Sequence, residues 1–144
     1  MNERYLFRGK RIDNGEWVYG GYALDAADNP RIICKDRSGK GLVFHEVIPE
    51  TVGQFTGLTD KKGVKVFEGD KIHAGDEDDS REYCLVVFNK EQARFQTNLY
   101  GYAINYNEGG GEEYSSDIGL IDENNLDMEF IPECEVIGNI FDND

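Results

Sequence analysis

No run of apolar residues in this 144-residue chain approaches the roughly 20 needed to cross a bilayer. Its start, Met1-Asn2-Glu3-Arg4, leads into no signal-peptide core. Both absences predict a cytoplasmic protein that stays clear of membranes. Cysteine is sparse: Cys34, Cys84 and Cys134 are an odd number with no C-x-x-C spacing. That argues against a disulfide framework and predicts reduced, buried thiols. With only His45 and His73 as imidazole donors, a metal site is poorly supplied. Glu133 and Glu135 deny Cys134 the electropositive setting a catalytic thiolate needs. Basic residues are scarce as well, 15 against 29 acidic ones, for a formal charge of −14. So negative a chain repels phosphate backbones and lacks the basic stripe that nucleic-acid binding requires. A basic protein partner would suit it, although solubility alone accounts for such charge. No catalytic constellation stands out, so neither enzyme activity nor a cofactor is expected.

What is present is turn chemistry. Seventeen Gly against three Pro, with eight Tyr and eight Phe, predict a folded, mainly β protein with little helix. At this length the chain can form one core or two small lobes. The densest signal lies in residues 48–72, I-P-E-T-V-G-Q-F-T-G-L-T-D-K-K-G-V-K-V-F-E-G-D-K-I. Residues 51–56 read as a strand carrying a glycine, the mark of a bulge or a close approach. Asp60-Lys61-Lys62-Gly63 reads as a hairpin loop. Residues 64–67 return as a strand with Val64 and Val66 on one face. Glu68-Gly69-Asp70 reads as a second sharp turn, with Gly69 free to take positive φ and Asp70 placed for an Asx-turn. Strand, hairpin, kinked turn and strand suggest a small SH3-like β-barrel over residues 49–144.

The first 48 residues read as a four-stranded meander, a lobe of its own ended by Pro49. Its opening segment, residues 4–12, is the most basic in the chain. Arg4, Arg8, Lys10 and Arg11 could meet an anionic ligand; an edge strand defended by charge is the plainer reading. Asp13-Asn14-Gly15 signals a hairpin. Trp17 and Tyr19 then share one face, which could stack bases but more simply is core. His45, alone in its strand, reads as structural.

Past the central stretch, residues 74–82 form an acidic loop. Asp76, Asp78 and Ser80 have the spacing of a calcium loop, but Arg81 stands where its glycine belongs and Val87 where its glutamate belongs. Residues 83–88 and 93–97 read as strands, and the alternation of Tyr100, Tyr102, Ile104 and Tyr106 predicts another. Residues 107–117 have the composition of a flexible loop. A short helical turn is expected around residues 122–126, and a final strand over 135–141. Val52-Gly53-Gln54-Phe55 and Ile137-Gly138-Asn139-Ile140 echo each other, so 51–56 is expected to pair with 135–141 and close the barrel.

Three blocks of this chain resemble the YopX family of phage and prophage proteins: Phe7-Arg8 with residues 15–20, the stretch 48–72, and residues 135–141. Together they span about a third of the chain. The resemblance implies a mostly β protein encoded on bacterial mobile elements and assembling as a homo-oligomer. It implies no known enzymatic activity and supplies no catalytic residues. The positions that carry it, Glu50, Thr51, Gly53, Gln54, Gly57, Gly69, Asp70 and Gly138, read as makers of the fold.

Three functions are open to such a chain. The first is a non-enzymatic structural or protein-interaction module. The second is a nucleic-acid-associated β-barrel using Trp17, Tyr19 and the Arg4–Arg11 cluster. The third, a metal-dependent hydrolase on Glu50, Glu68, Asp70 and His73, is the weakest, since Glu68 and Asp70 already serve turns.

Overall fold

A computed structural model describes residues 5–74, 82–106, 108–124 and 127–142. The chain divides into two compact units, Met1–Gly57 with Lys65–Phe67, and Leu58–Val64 with Glu68–Asp144. The strands in chain order are β1 (Phe7–Lys10), β2 (Trp17–Leu24), β3 (Pro30–Lys35), β4 (Leu42–Glu46), β5 (Gly53–Thr59), β6 (Lys65–Phe67), β7 (Asp70–Ala74), β8 (Tyr83–Asn89), β9 (Arg94–Tyr106), β10 (Glu112–Asp122) and β11 (Cys134–Asn139). The protein is mainly β, with little helix, and it forms two antiparallel sheets.

The first sheet has the order β4-β3-β2-β1-β5-β6. Its first four strands are the meander that the turn signals predict. At Asp13-Asn14-Gly15 the chain reverses, Gly15 N–H donating to Arg11 O at 2.9 Å. The basic segment does not form an edge. β1 lies inside the sheet, Phe7 opposite both Gly20 of β2 and Gln54 of β5. Ile32, Val47 and Val66 are fully buried here.

Pro49–Thr51 is a short 3-10 turn rather than the start of a strand, so β5 begins two residues later than its sequence suggests. The Thr51 hydroxyl, nearly buried, fixes this turn. It accepts from Lys10 N–H at 2.9 Å and donates to Ile48 O at 2.6 Å. Thr51→Val keeps the shape and removes both bonds. It is expected to cost about 1–2 kcal/mol in urea unfolding; a variant as stable as the parent would show that water replaces them.

The second sheet has the order β10-β9-β8-β7-β11. The expected barrel closure is not made. β11 pairs with β7, Glu135 opposite His73, while Gly53 of β5 pairs with Arg8. With β5 and β6 committed to the other sheet, the described residues leave this one open, β10 and β11 at its ends. Ile72 and Val86 of this sheet are fully buried, as is Ile131 of the 3-10 turn Met128–Glu133.

The turn at Glu68-Gly69 forms as expected. Gly69, at φ 93, is in a region that side chains resist. Its N–H donates to Val86 O at 2.8 Å and its carbonyl accepts from Ile140 N–H at 3.1 Å, tying β8 to the end of β11. Asp70 follows as the buried first residue of β7. The Asp60–Gly63 loop also forms. Val64, however, belongs to the loop: its N–H donates to Asp60 Oδ1 at 2.9 Å. Its side chain is 48% exposed, so it does not share the buried face of Val66.

Two further expectations are corrected. Glu112–Asp122 is a strand paired to β9, with a register shift between Tyr114 and Ile118, so only 108–111 stand outside strands among the described residues of 107–117. The short helical turn lies later, at Met128–Glu133, because Asp127 caps it through Glu129 N–H at 3.1 Å. The calcium-like spacing at Asp76, Asp78 and Ser80 lies outside the described residues.

Candidate functional site

Register places the side chains of the first sheet on two faces. Gly21 of β2 faces Ile33 of β3, which faces Phe44 of β4; next in register, Lys35 faces Leu42. By the two-residue repeat of a strand, Tyr19 lies on the same side as Gly21. This side is open. Leu42 is 63% exposed, Phe44 55% and Tyr19 47%, and no atom lies within 4 Å of where a Cβ on Gly21 would stand. β4 is also the end of the sheet, so exposed apolar side chains coincide with an unextended strand edge.

Beside this surface lies an aromatic cluster. The Arg8 side chain is buried, its guanidinium 4.6 Å from the Trp17 ring centre and 4.9 Å from that of Phe67. Phe67 in turn meets Phe55 and Tyr19, each at 5.5 Å between ring centres. A flat, weakly hydrated guanidinium is the cation best suited to lie between rings. Arg8 is thus part of the core. Arg11 pairs with Asp13 at 2.6 Å, Lys10 Nζ lies 5.5 Å from the Trp17 ring centre, and Arg4 lies outside the described residues. Trp17 is half-buried, in line with the core reading, whereas Tyr19 stands out to solvent.

The other singled-out residues occupy separate places. Glu50 is exposed on the 3-10 turn beside buried Thr51. Gly53 and Gln54 face Arg8 and Phe7 across the β5–β1 ladder, and Gly57 follows with φ 89. Gly138 sits where the β11–β7 register shifts. His73 Nε2 donates to Glu82 O at 2.7 Å, which puts the ring proton on that nitrogen. Among the described residues, no three His, Cys, Asp or Glu gather as a metal site would need. The three cysteines are free thiols, Cys84 and Cys134 buried and Cys34 half-buried. Burial and then the Glu133 carboxylate push the Cys134 thiol up, and it donates to Phe130 O at 3.2 Å. A thiol so held is a poor nucleophile.

The exposed β4 face was not foreseen. In Leu42-Val43-Phe44-His45-Glu46 both alternating sets are part apolar, so periodicity does not say which one is core. The only signal available was a strand near a chain reversal without a companion on its far side.

Among the described residues, no helix is long and apolar enough to cross a membrane. No curated protein matches the chain. The model of the YopX protein family matches residues 6–144, nearly the whole length. The chain therefore belongs to the YopX family.

Proposed function

We propose that this protein is a non-enzymatic interaction module, encoded by a phage or prophage, that works as a homo-oligomer in the bacterial cytoplasm. The observation that carries the reading is the exposure of Leu42 and Phe44 on the terminal strand of the first sheet. Strand edges with exposed apolar side chains are templates for another strand, and monomeric proteins usually protect them with charge or proline. Here the edge strand carries a single carboxylate, Glu46.

A second copy is the occupant best supported. The net charge of −14 would oppose self-association, but it is spread unevenly. Residues 1–48 hold eight Lys and Arg against seven Asp and Glu, and the rest hold seven against twenty-two. Two copies meeting at β4 would bring together the near-neutral parts of both chains and keep the acidic parts out of the contact. A basic protein partner, by contrast, would find its complement in the acidic remainder.

Light scattering after size-exclusion tests this. The parent is expected to run as a dimer or larger, and Phe44→Glu or Leu42→Glu as a folded monomer with an unchanged thermal midpoint. A parent that is monomeric at high concentration would defeat the reading. Variants that still associate would move the contact to another surface.

A further inference from the structure

Beside the turn between β3 and β4 the structure holds a different feature. A cavity of about 490 Å³ is lined by Arg11, Lys35, Asp36, Arg37, Ser38, Val43 and His45. Three permanent cations and an imidazole are thus among its lining residues, in a chain whose overall charge is −14. The volume is that of a small-molecule site.

The chain is built to hold these groups in place. β3 ends at Lys35 and β4 begins at Leu42, its ladder partner. The turn between them is tied from inside by Asp36. Its Oδ1 accepts from Ser38 N–H at 3.0 Å, from the Ser38 hydroxyl at 2.6 Å and from Gly41 N–H at 3.4 Å. The Ser38 hydroxyl above all, joined by the backbone donors of the turn, outweighs burial and holds the Asp36 carboxyl below the usual range. Its charge is therefore spent on the turn. Arg11 reaches the cavity because its backbone bridges to Val47, just beyond β4, and its guanidinium is shared with Asp13. The side chains of Lys35 and Arg37 form no hydrogen bond or ion pair among the described residues.

We infer that this cavity binds a phosphate group, either free or carried on a small molecule such as a nucleotide, through Lys35, Arg37 and Arg11. The cluster matches a phosphate better than a carboxylate. A phosphate presents up to two charges and three strong acceptor oxygens, enough for several separate cations. A carboxylate offers one charge and two oxygens, which a single arginine fork already satisfies. Of β4 the cavity takes Val43 and His45, which alternate with Leu42 and Phe44, while Lys35 stands opposite Leu42, so phosphate titration of the Phe44→Glu variant separates the two proposals.

The test is calorimetric titration of the full-length protein in chloride buffer at fixed ionic strength, with inorganic phosphate, adenosine monophosphate and acetate as probes. Saturable binding of phosphate and of the nucleotide is expected, with none by acetate. Equal affinity for the two would identify free phosphate as the ligand, and a tighter nucleotide would identify a carried one. The Lys35→Gln/Arg37→Gln double variant should bind at least about tenfold more weakly. Both residues are exposed, so its thermal midpoint should match the parent's; Arg94→Gln, in the second unit, should bind like the parent. Absence of saturable binding, equal binding of acetate, or a double variant with parental affinity would each overturn the inference.

Discussion

Asp60→Ala is expected to lower the unfolding free energy by roughly 2–4 kcal/mol, measured by urea denaturation at neutral pH. Asp60 is nearly buried, and three backbone N–H groups depend on its carboxylate. Oδ1 accepts from Lys62 N–H at 2.8 Å and Val64 N–H at 2.9 Å, and Oδ2 accepts from Val136 N–H at 3.0 Å. The first two close the loop locally; the third fastens that loop to β11. Beside it, Lys61 N–H donates to Cys134 O at 2.9 Å. Alanine would leave these donors to whatever water can reach them. The neighbouring ion pair, Lys62 Nζ to Glu135 Oε1 at 2.5 Å, is solvent-exposed, so Lys62→Ala should have a much smaller effect.

The same carboxylate sets a pH dependence. Burial pushes Asp60 up, but the Val136, Val64 and Lys62 N–H donors more than offset this, and it ends below its ordinary value. A folded-state value below the unfolded one means that its contribution is complete above about pH 4, the unfolded value, and is lost as pH falls through the folded value. The stability gap between parent and Asp60→Ala should therefore narrow in acid. A gap unchanged down to pH 2 would show that the carboxylate's charge is irrelevant.

Two adjacent glycines supply the second large contrast. A Cβ on Gly20 would stand 2.0 Å from the Ile33 carbonyl oxygen and 2.8 Å from its carbon. Backbone atoms cannot rotate away as a side chain can, so the β2–β3 ladder would have to shift. Gly20→Ala is expected to cost about 3 kcal/mol or more, or to abolish soluble expression. Gly21→Ala meets nothing within 4 Å and should be close to neutral, with a slight gain from restricting the unfolded chain. Parallel urea melts compare them, and equal stability would mean that the β2–β3 approach is looser than the structure has it.

These two sites also show what the residues alone could disclose. The Asp60–Gly63 loop was legible because its chemistry is local: an aspartate, a glycine and four positions. The Val136 bond was not, because its partner lies 76 residues away and no short-range pattern encodes it. The echo between Val52-Gly53-Gln54-Phe55 and Ile137-Gly138-Asn139-Ile140 likewise identified two strands but not their partners. Alternation and glycine position specify a pleat and its irregularities, whereas β1 and β7 won the pairings through ladders that depend on the whole sheet. Arg8 misled because positive charge near a terminus reads as surface; only Trp17 and Phe67, brought to either side of it, make it interior. The basic cavity was invisible for the same reason, since Arg11 joins Lys35 and Arg37 only after the sheet is assembled.

The hairpin of β5 and β6 has its base in one compact unit and its tip, Leu58–Val64, in the other. The chain passes from one unit to the other at three places, so no single cut yields two intact halves. A fragment ending at Gly57 lacks the β6 segment that completes its own sheet, and one beginning at Glu68 lacks the Asp60 anchor for β11. Neither piece can be expected to fold as it does in the whole, and binding assays on fragments would report on broken sheets.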